Sequence, residues 1–113
     1  MTYQDVLDML DETGLPSAYH HFAEGESPDP PFLVFLFPES DNFGADNRVY
    51  QKIDVLNIEL YTDRKDPTLE DSLETILDNH NLFYQKSETW IEDELMYEVL
   101  YEMRIIYNAY QQN

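Results

Sequence analysis

The chemistry open to this sequence is that of carboxylates, hydroxyls and three histidines, because it contains no cysteine. Disulfides, thiolate zinc sites and cysteine nucleophiles are therefore excluded together. His20 and His21 are the first candidate ligand pair. As sequence neighbours they point to opposite faces of a strand or diverge by about 100° on a helix, which is poor chelating geometry. His21 and Glu24 have an i, i+3 spacing, but Gly25 and Pro28 leave room for no more than one helical turn. In "ESDNFGADNRVY", Glu39, Asp41 and Gly44 match positions one, three and six of a calcium-binding loop. Phe43 and Tyr50 then fall where oxygen ligands are required, so a turn-rich connection explains the same letters.

Catalysis finds no better footing. Among 24 acids some pair always has the spacing of a general acid and base, and nothing in the sequence singles one out. Gly14, Gly25 and Gly44 lie too far apart to cradle a phosphate, and no serine sits in a nucleophile-elbow pattern. The expectation is a non-enzyme with no catalytic residue, no metal and no cofactor.

Charge narrows the partners. The 24 acids face 6 Lys and Arg, a net charge of −18. Nucleic-acid affinity comes largely from Lys and Arg displacing counterions, so direct binding to DNA or RNA is not expected. Two roles near DNA stay compatible with this surface: an acidic channel that DNA passes without sticking, and an acidic decoy occupying the basic groove of a nucleic-acid-binding protein. A well-hydrated soluble surface explains the same charge without either. The N-terminus carries acids and no basic n-region, unlike a secretory signal. The apolar run Phe32 to Phe37 is far short of the roughly 20 residues a membrane-crossing helix needs, so no membrane partner is expected.

The elements that must position any site follow from periodicity. Length (113 residues) and a hydrophobic share of 42% predict one domain with one core. Thr2 and Asp5 have capping-box spacing, and Tyr3, Val6, Leu7 and Leu10 recur helically, predicting a helix from Thr2 to Thr13 stopped by Gly14. Prolines bound the strand Phe32 to Phe37, and Ala18 to Phe22 has room for a short strand before it. Asp66 and Pro67 open a second helix whose buried stripe is Leu69, Leu73, Ile76 and Leu77. The stretch from Leu95 to Tyr107 fits helical and alternating periods equally well, and its aromatic and β-branched content favours a strand paired with one beginning near Leu82. The predicted class is α+β, in the order α-β-β-α-β-β, a mainly antiparallel sheet with both helices on one face and a short flexible tail from about residue 109.

One irregularity points toward assembly. In "RVYQKIDVLNIELYTD", Val49, Ile53 and Val55 hold one parity while Leu56, Ile58 and Leu60 hold the other. Either a bulge near Val55 restores the facing, or the first half leaves the core and buries its apolar side against a partner. Nine tyrosines and Trp90 also exceed what a small core can enclose, and such side chains suit interfaces. The candidate interface residues are Phe43, Arg48, Val49, Tyr50, Lys52 and Ile53. The bland alternative is an ordinary hairpin with two solvated cations.

"HFAEGESPDPPFLVFLFPESDNFGADNRVYQKIDVLNIELYTDRKDPTLEDSLE" together with "FYQKSETWIEDELMYEVLYEM" resembles a family of small prophage proteins from Gram-positive hosts, encoded among the head–tail joining genes just ahead of the major tail tube gene. The resemblance runs from about His21 to Met103 and carries no catalytic motif. It implies a tail-terminator or tail-completion role, in which a ring, typically a hexamer, caps the tail tube. The partners it implies are further copies of the chain, the major tail tube protein and the head–tail connector. The implied location is the host cytoplasm during assembly and then the neck of the virion.

Overall fold

Thr2 and Asp5 form the reciprocal cap their spacing predicts: the Thr2 hydroxyl accepts the Asp5 N–H at 3.1 Å, and the Asp5 carboxylate accepts the Thr2 N–H at 2.7 Å. Helix α1 (Tyr3–Asp11) then buries Val6, Met9 and Leu10, and Gly14 leaves it at φ +74°, a left-handed conformation that glycine takes most readily. Asp66 caps α2 (Pro67–Asn79) through the Leu69 N–H, with Pro67 in the first turn, where its missing N–H costs nothing. Leu73 and Leu77 of α2 are buried, and Leu69 and Ile76 pack beside them. A computed structural model describes residues 1–106, apart from the side chains of Ala45 and Tyr50. Tyr107 and the tail expected from about residue 109 lie outside the described residues.

The strands are β1 (Ser17–Tyr19), β2 (Phe32–Leu36), β3 (Phe43–Ala45), β4 (Arg48–Gln51), β5 (Ile53–Thr62), β6 (Tyr84–Ile91) and β7 (Met96–Ile106). Five of them form one sheet in the order β1-β2-β5-β7-β6, antiparallel except for the parallel pair β1-β2. Among the described residues, β3 and β4 form a separate two-stranded ribbon. The class is α+β as expected. The element order is not: the chain runs α-β-β-β-β-β-α-β-β, because a short parallel edge strand precedes β2 and the long central strand divides at Lys52.

One parity of the sheet meets both helices. Leu33 and Phe35 of β2, Leu56, Ile58 and Leu60 of β5, and Val99, Tyr101, Met103 and Ile105 of β7 join Val6, Met9, Leu10, Leu73 and Leu77 in a single core. Each fully buried Leu or Ile there contributes roughly 1.5–3 kcal/mol. The stretch with two possible periods is a strand, pairing with β5 from Ile53↔Ile106 to Thr62↔Tyr97 without a register shift. Nonlocal pairing decided what periodicity left open. The unbroken ladder also removes the bulge near Val55: the parity break arises because β4 belongs to the ribbon and β5 to the core sheet.

Phe32 to Leu36 is covered on both faces, as its continuous apolarity requires. Tyr3 and Tyr19 pack on Phe35 at ring distances of 5.4 and 5.2 Å on the helix side. Phe22 meets Phe32 edge-on at 5.4 Å on the other side, and Tyr61 stacks on Phe32 at 5.1 Å. The second cover therefore comes from this chain's own 20–31 connection and from β5.

Candidate interaction interface

The ribbon begins where the sheet stops holding the chain. Glu39 to Asp41 runs beside the start of β5, the Asp41 N–H donating to the Ile53 carbonyl at 2.8 Å and the Val55 N–H to the Glu39 carbonyl at 3.0 Å. The Asn42 side chain accepts the Ile53 N–H, and Arg104 of β7 pairs with Asp41 at 2.8 Å. Beyond this anchored root β3 and β4 pair only with each other, among the described residues. Asp46 and Asn47 turn the ribbon with φ of 53° and 62°, the two positive values a tight type I′ hairpin needs. The ladder shifts register between Phe43 and Gly44, and a Cβ on Gly44 would lie 2.7 Å from the Arg48 carbonyl oxygen. Glycine is what lets the two ribbon backbones approach.

The sequence candidates gather here. Phe43 is 64% exposed and Val49 53%, and Arg48 and Lys52 are exposed beside them. Ile53 is half-buried at the root. Tyr50 lies on β4, its side chain outside the described set. A two-stranded ribbon is marginal in water by itself, so one that shows an aromatic and a β-branched side chain to solvent gains most from being covered.

The sheet face turned away from the helices carries a second feature, which sequence reading missed. A cleft of about 370 Å³ opens between the 20–31 connection and the β6–β7 hairpin, walled by Phe22, Phe32, Val34, Ile91 and Met96 and rimmed by His20, His21, Ser27, Tyr61 and Glu94. His20 adopts φ 67°, which turns both histidine rings together with their Nδ1 atoms 2.9 Å apart, so the opposed geometry expected for neighbours does not apply. The Tyr61 hydroxyl lies 2.8 Å from a Glu59 oxygen and 3.2 Å from a Glu98 oxygen. One proton thus faces two carboxylates. Burial pushes the Glu59 carboxyl above its ordinary value, the Tyr61 hydrogen bond opposes this, and the Glu98 charge adds to the rise. Burial and the same two glutamates hold the Tyr61 hydroxyl protonated. The i, i+2 spacing of Glu59 and Tyr61 on one strand was the available signal, but which β7 acid would face them depends on strand register.

A third group is structural. Lys86 of β6 reaches Glu70 and Glu74 of α2, each at 2.8 Å, and Lys65 reaches Glu70 and Glu88. The buried Tyr101 hydroxyl donates to Glu74 at 2.8 Å. Burial alone would raise the Glu70 and Glu74 carboxyls, but the lysines, and at Glu74 the Tyr101 hydroxyl, outweigh it and hold both below their ordinary value. Elsewhere His80 pairs with Glu12 at 2.7 Å, joining the end of α2 to the end of α1.

No protein-family profile matches the chain, and no curated protein matches it either.

Proposed function

We propose that this chain is a non-enzymatic structural component of a tailed phage or prophage, a tail-terminator or tail-completion subunit that forms a ring on the tail tube at the head–tail joint. The observation that carries the reading is the ribbon: an anchored, glycine-tightened hairpin leaves the core sheet with Phe43 and Val49 uncovered. A side chain costs entropy to order and exposure to keep, so such an element fits a chain whose ribbon is buried in an assembly. The acidic coat keeps such a subunit soluble before it docks and lets DNA slide past it afterward. The acidic-decoy reading draws on the −18 charge alone.

The test is to image the ends of purified tails, and virion necks, made with and without this chain. Loss of length control or of head joining is expected in its absence. Tails of normal length that join heads without it would overturn the proposal, and steeply salt-dependent binding to a nuclease would favour the decoy.

A further inference from the structure

We infer that the free chain pairs with a second copy along β6, the two strands running antiparallel about a two-fold axis at Ser87, so that the two core sheets continue as one. The inference goes beyond the assembly reading. An isologous pair has a two-fold axis that a simple cyclic ring lacks, so the pair describes the chain before it docks.

β6 is a long, unguarded edge. Among the described residues it pairs with β7 alone, from Tyr84↔Met103 to Ile91↔Met96 without a register shift, so its other side presents unpaired backbone N–H and C=O groups. The opposite edge, β1, has three residues, whereas β6 has eight, of which the middle six are exposed. β6 holds no proline, glycine or bulge of the kind that blunts an edge. Its one cation, Lys86, is drawn over the sheet toward Glu70 and Glu74 of α2. Phe83, just before the strand, is 79% exposed and Trp90, near its end, 42%. By alternation Lys86, Glu88 and Trp90 share the helix side, and all three are exposed, so α2 stops short of this edge and leaves room for a neighbouring strand.

The letters of this edge select a second copy as its partner, because "FYQKSETWI", Phe83 to Ile91, is self-complementary about Ser87. Antiparallel pairing centred there sets Lys86 opposite Glu88 on both sides of the axis and Tyr84 opposite Trp90, and brings Phe83 across from Ile91. Opposite charges, aromatic pairs and apolar pairs placed in this way are what stabilise neighbouring strands. The axis of a two-fold strand pair passes between like residues, so a slip moves it onto a different one. Centred on Lys86 it would put two lysines face to face, and centred on Glu88 two glutamates, both destabilising. The nine residues carry one cation and one anion, so the segment is neutral within a chain of net charge −18 whose surface otherwise repels its own copy. The antiparallel direction also keeps the acidic turns at Glu92, Asp93 and Glu94 apart. Six strand rises from Ser87 to Asp93 place each turn about 20 Å from the axis, at opposite ends of the pair.

The absence of native cysteine makes the test clean. Three single-cysteine chains, Gln85→Cys, Ser87→Cys and Thr89→Cys, place the thiol at exposed positions on the sheet face away from the helices, outside the ion network. Each is oxidised in glutathione buffer at chain concentrations up to about 1 mM. Disulfide bonding needs Cα atoms within about 7 Å, and residues directly opposite on antiparallel strands lie about 5 Å apart. Ser87→Cys should therefore link to itself at least about tenfold faster than Gln85→Cys or Thr89→Cys alone, whose own copies stand four rises out of register, about 13 Å. Mixing the Gln85→Cys and Thr89→Cys chains should produce the 85–89 link as the main product. Sedimentation of the cysteine-free chain should show a dimer, and Glu88→Lys, which turns both opposite-charge contacts into like-charge ones, should weaken it about tenfold. A chain that stays monomeric up to that concentration, equal self-linking at all three positions, or a dimer indifferent to Glu88→Lys would each overturn the inference. Those outcomes leave the terminator reading standing, because a ring on the tube forms by other contacts. Conversely, an 85–89 link in a chain that tails do not need would sustain the pair and remove that role.

Discussion

Replacing Lys86 by Met would leave Glu70 buried beside Lys65 alone and Glu74 dependent on tyrosine hydroxyls. Leaving a buried acceptor short of its partner costs about 1–3 kcal/mol, so denaturant unfolding at pH 7 should show a loss of that size. The pH dependence has a definite sign. Glu70 and Glu74 have folded pKa values below the ordinary carboxylate value near 4.3, so the unfolded state takes up protons first as pH falls. Their stabilisation is therefore complete above about pH 5 and is lost as pH drops through the folded values. The K86M deficit should shrink over the same range, since a protonated glutamate gains little from the lysine. Glu59 works in the opposite direction: its raised folded pKa makes its ionisation a burden on the native state above that pKa. Equal stability of K86M and wild type at pH 7 would show that the ion network carries no weight. None of these pairings was legible in the sequence, because alternation puts Tyr84, Lys86 and Glu88 on one face of a strand without saying which helix lies over it.

Gly44 sets the ribbon's shape at the scale of the element. Gly44→Ala would press a methyl group against the Arg48 carbonyl at a point where only backbone can yield. Because the ribbon pairs with no core strand among the described residues, the expected outcome is a change in global melting temperature of no more than about 2 °C together with weakened ring assembly. Thermal melts and sedimentation measured in parallel check it, and a melting temperature lowered by much more would mean that the ribbon supports the core. Helical caps were the most legible elements: the Thr2–Asp5 box and Asp66–Pro67 announce two starts that the structure places where the letters put them. The short strand β2 was also legible, because prolines bracket a run that must be covered twice. The division at Lys52 was only half legible. The parity break in Val49, Ile53, Val55 and Leu56 shows that two faces are in play, but alternation cannot tell a bulge from a change of sheet, and the choice is made by pairing: β5 joins β7 from Ile53 to Thr62 without a register shift, while β4 joins β3.

At the scale of the whole molecule the chain is acidic and longer than it is wide, with an exposed hairpin leaving the Ile53 end of β5 and an apolar cleft near the Thr62 end. Composition made the acidity and the single core legible. The cleft was not, since it is assembled from the 20–31 connection, β2, β5 and the β6–β7 hairpin, segments distant in sequence and brought together by the sheet order alone. The surplus of tyrosine suggested interface area, yet Tyr3, Tyr19, Tyr61 and Tyr101 are engaged inside the chain, as ring partners of Phe35 and Phe32 and as donors to glutamates. The exposed ribbon, more than the tyrosine count, is the feature that sets assembly apart from a plain soluble domain. Electron-microscopic reconstruction of the neck of intact virions tests the central claim most directly. A closed ring of copies of this chain between tail tube and connector, with each ribbon covered, is the predicted result; a neck with no density for this chain would contradict it.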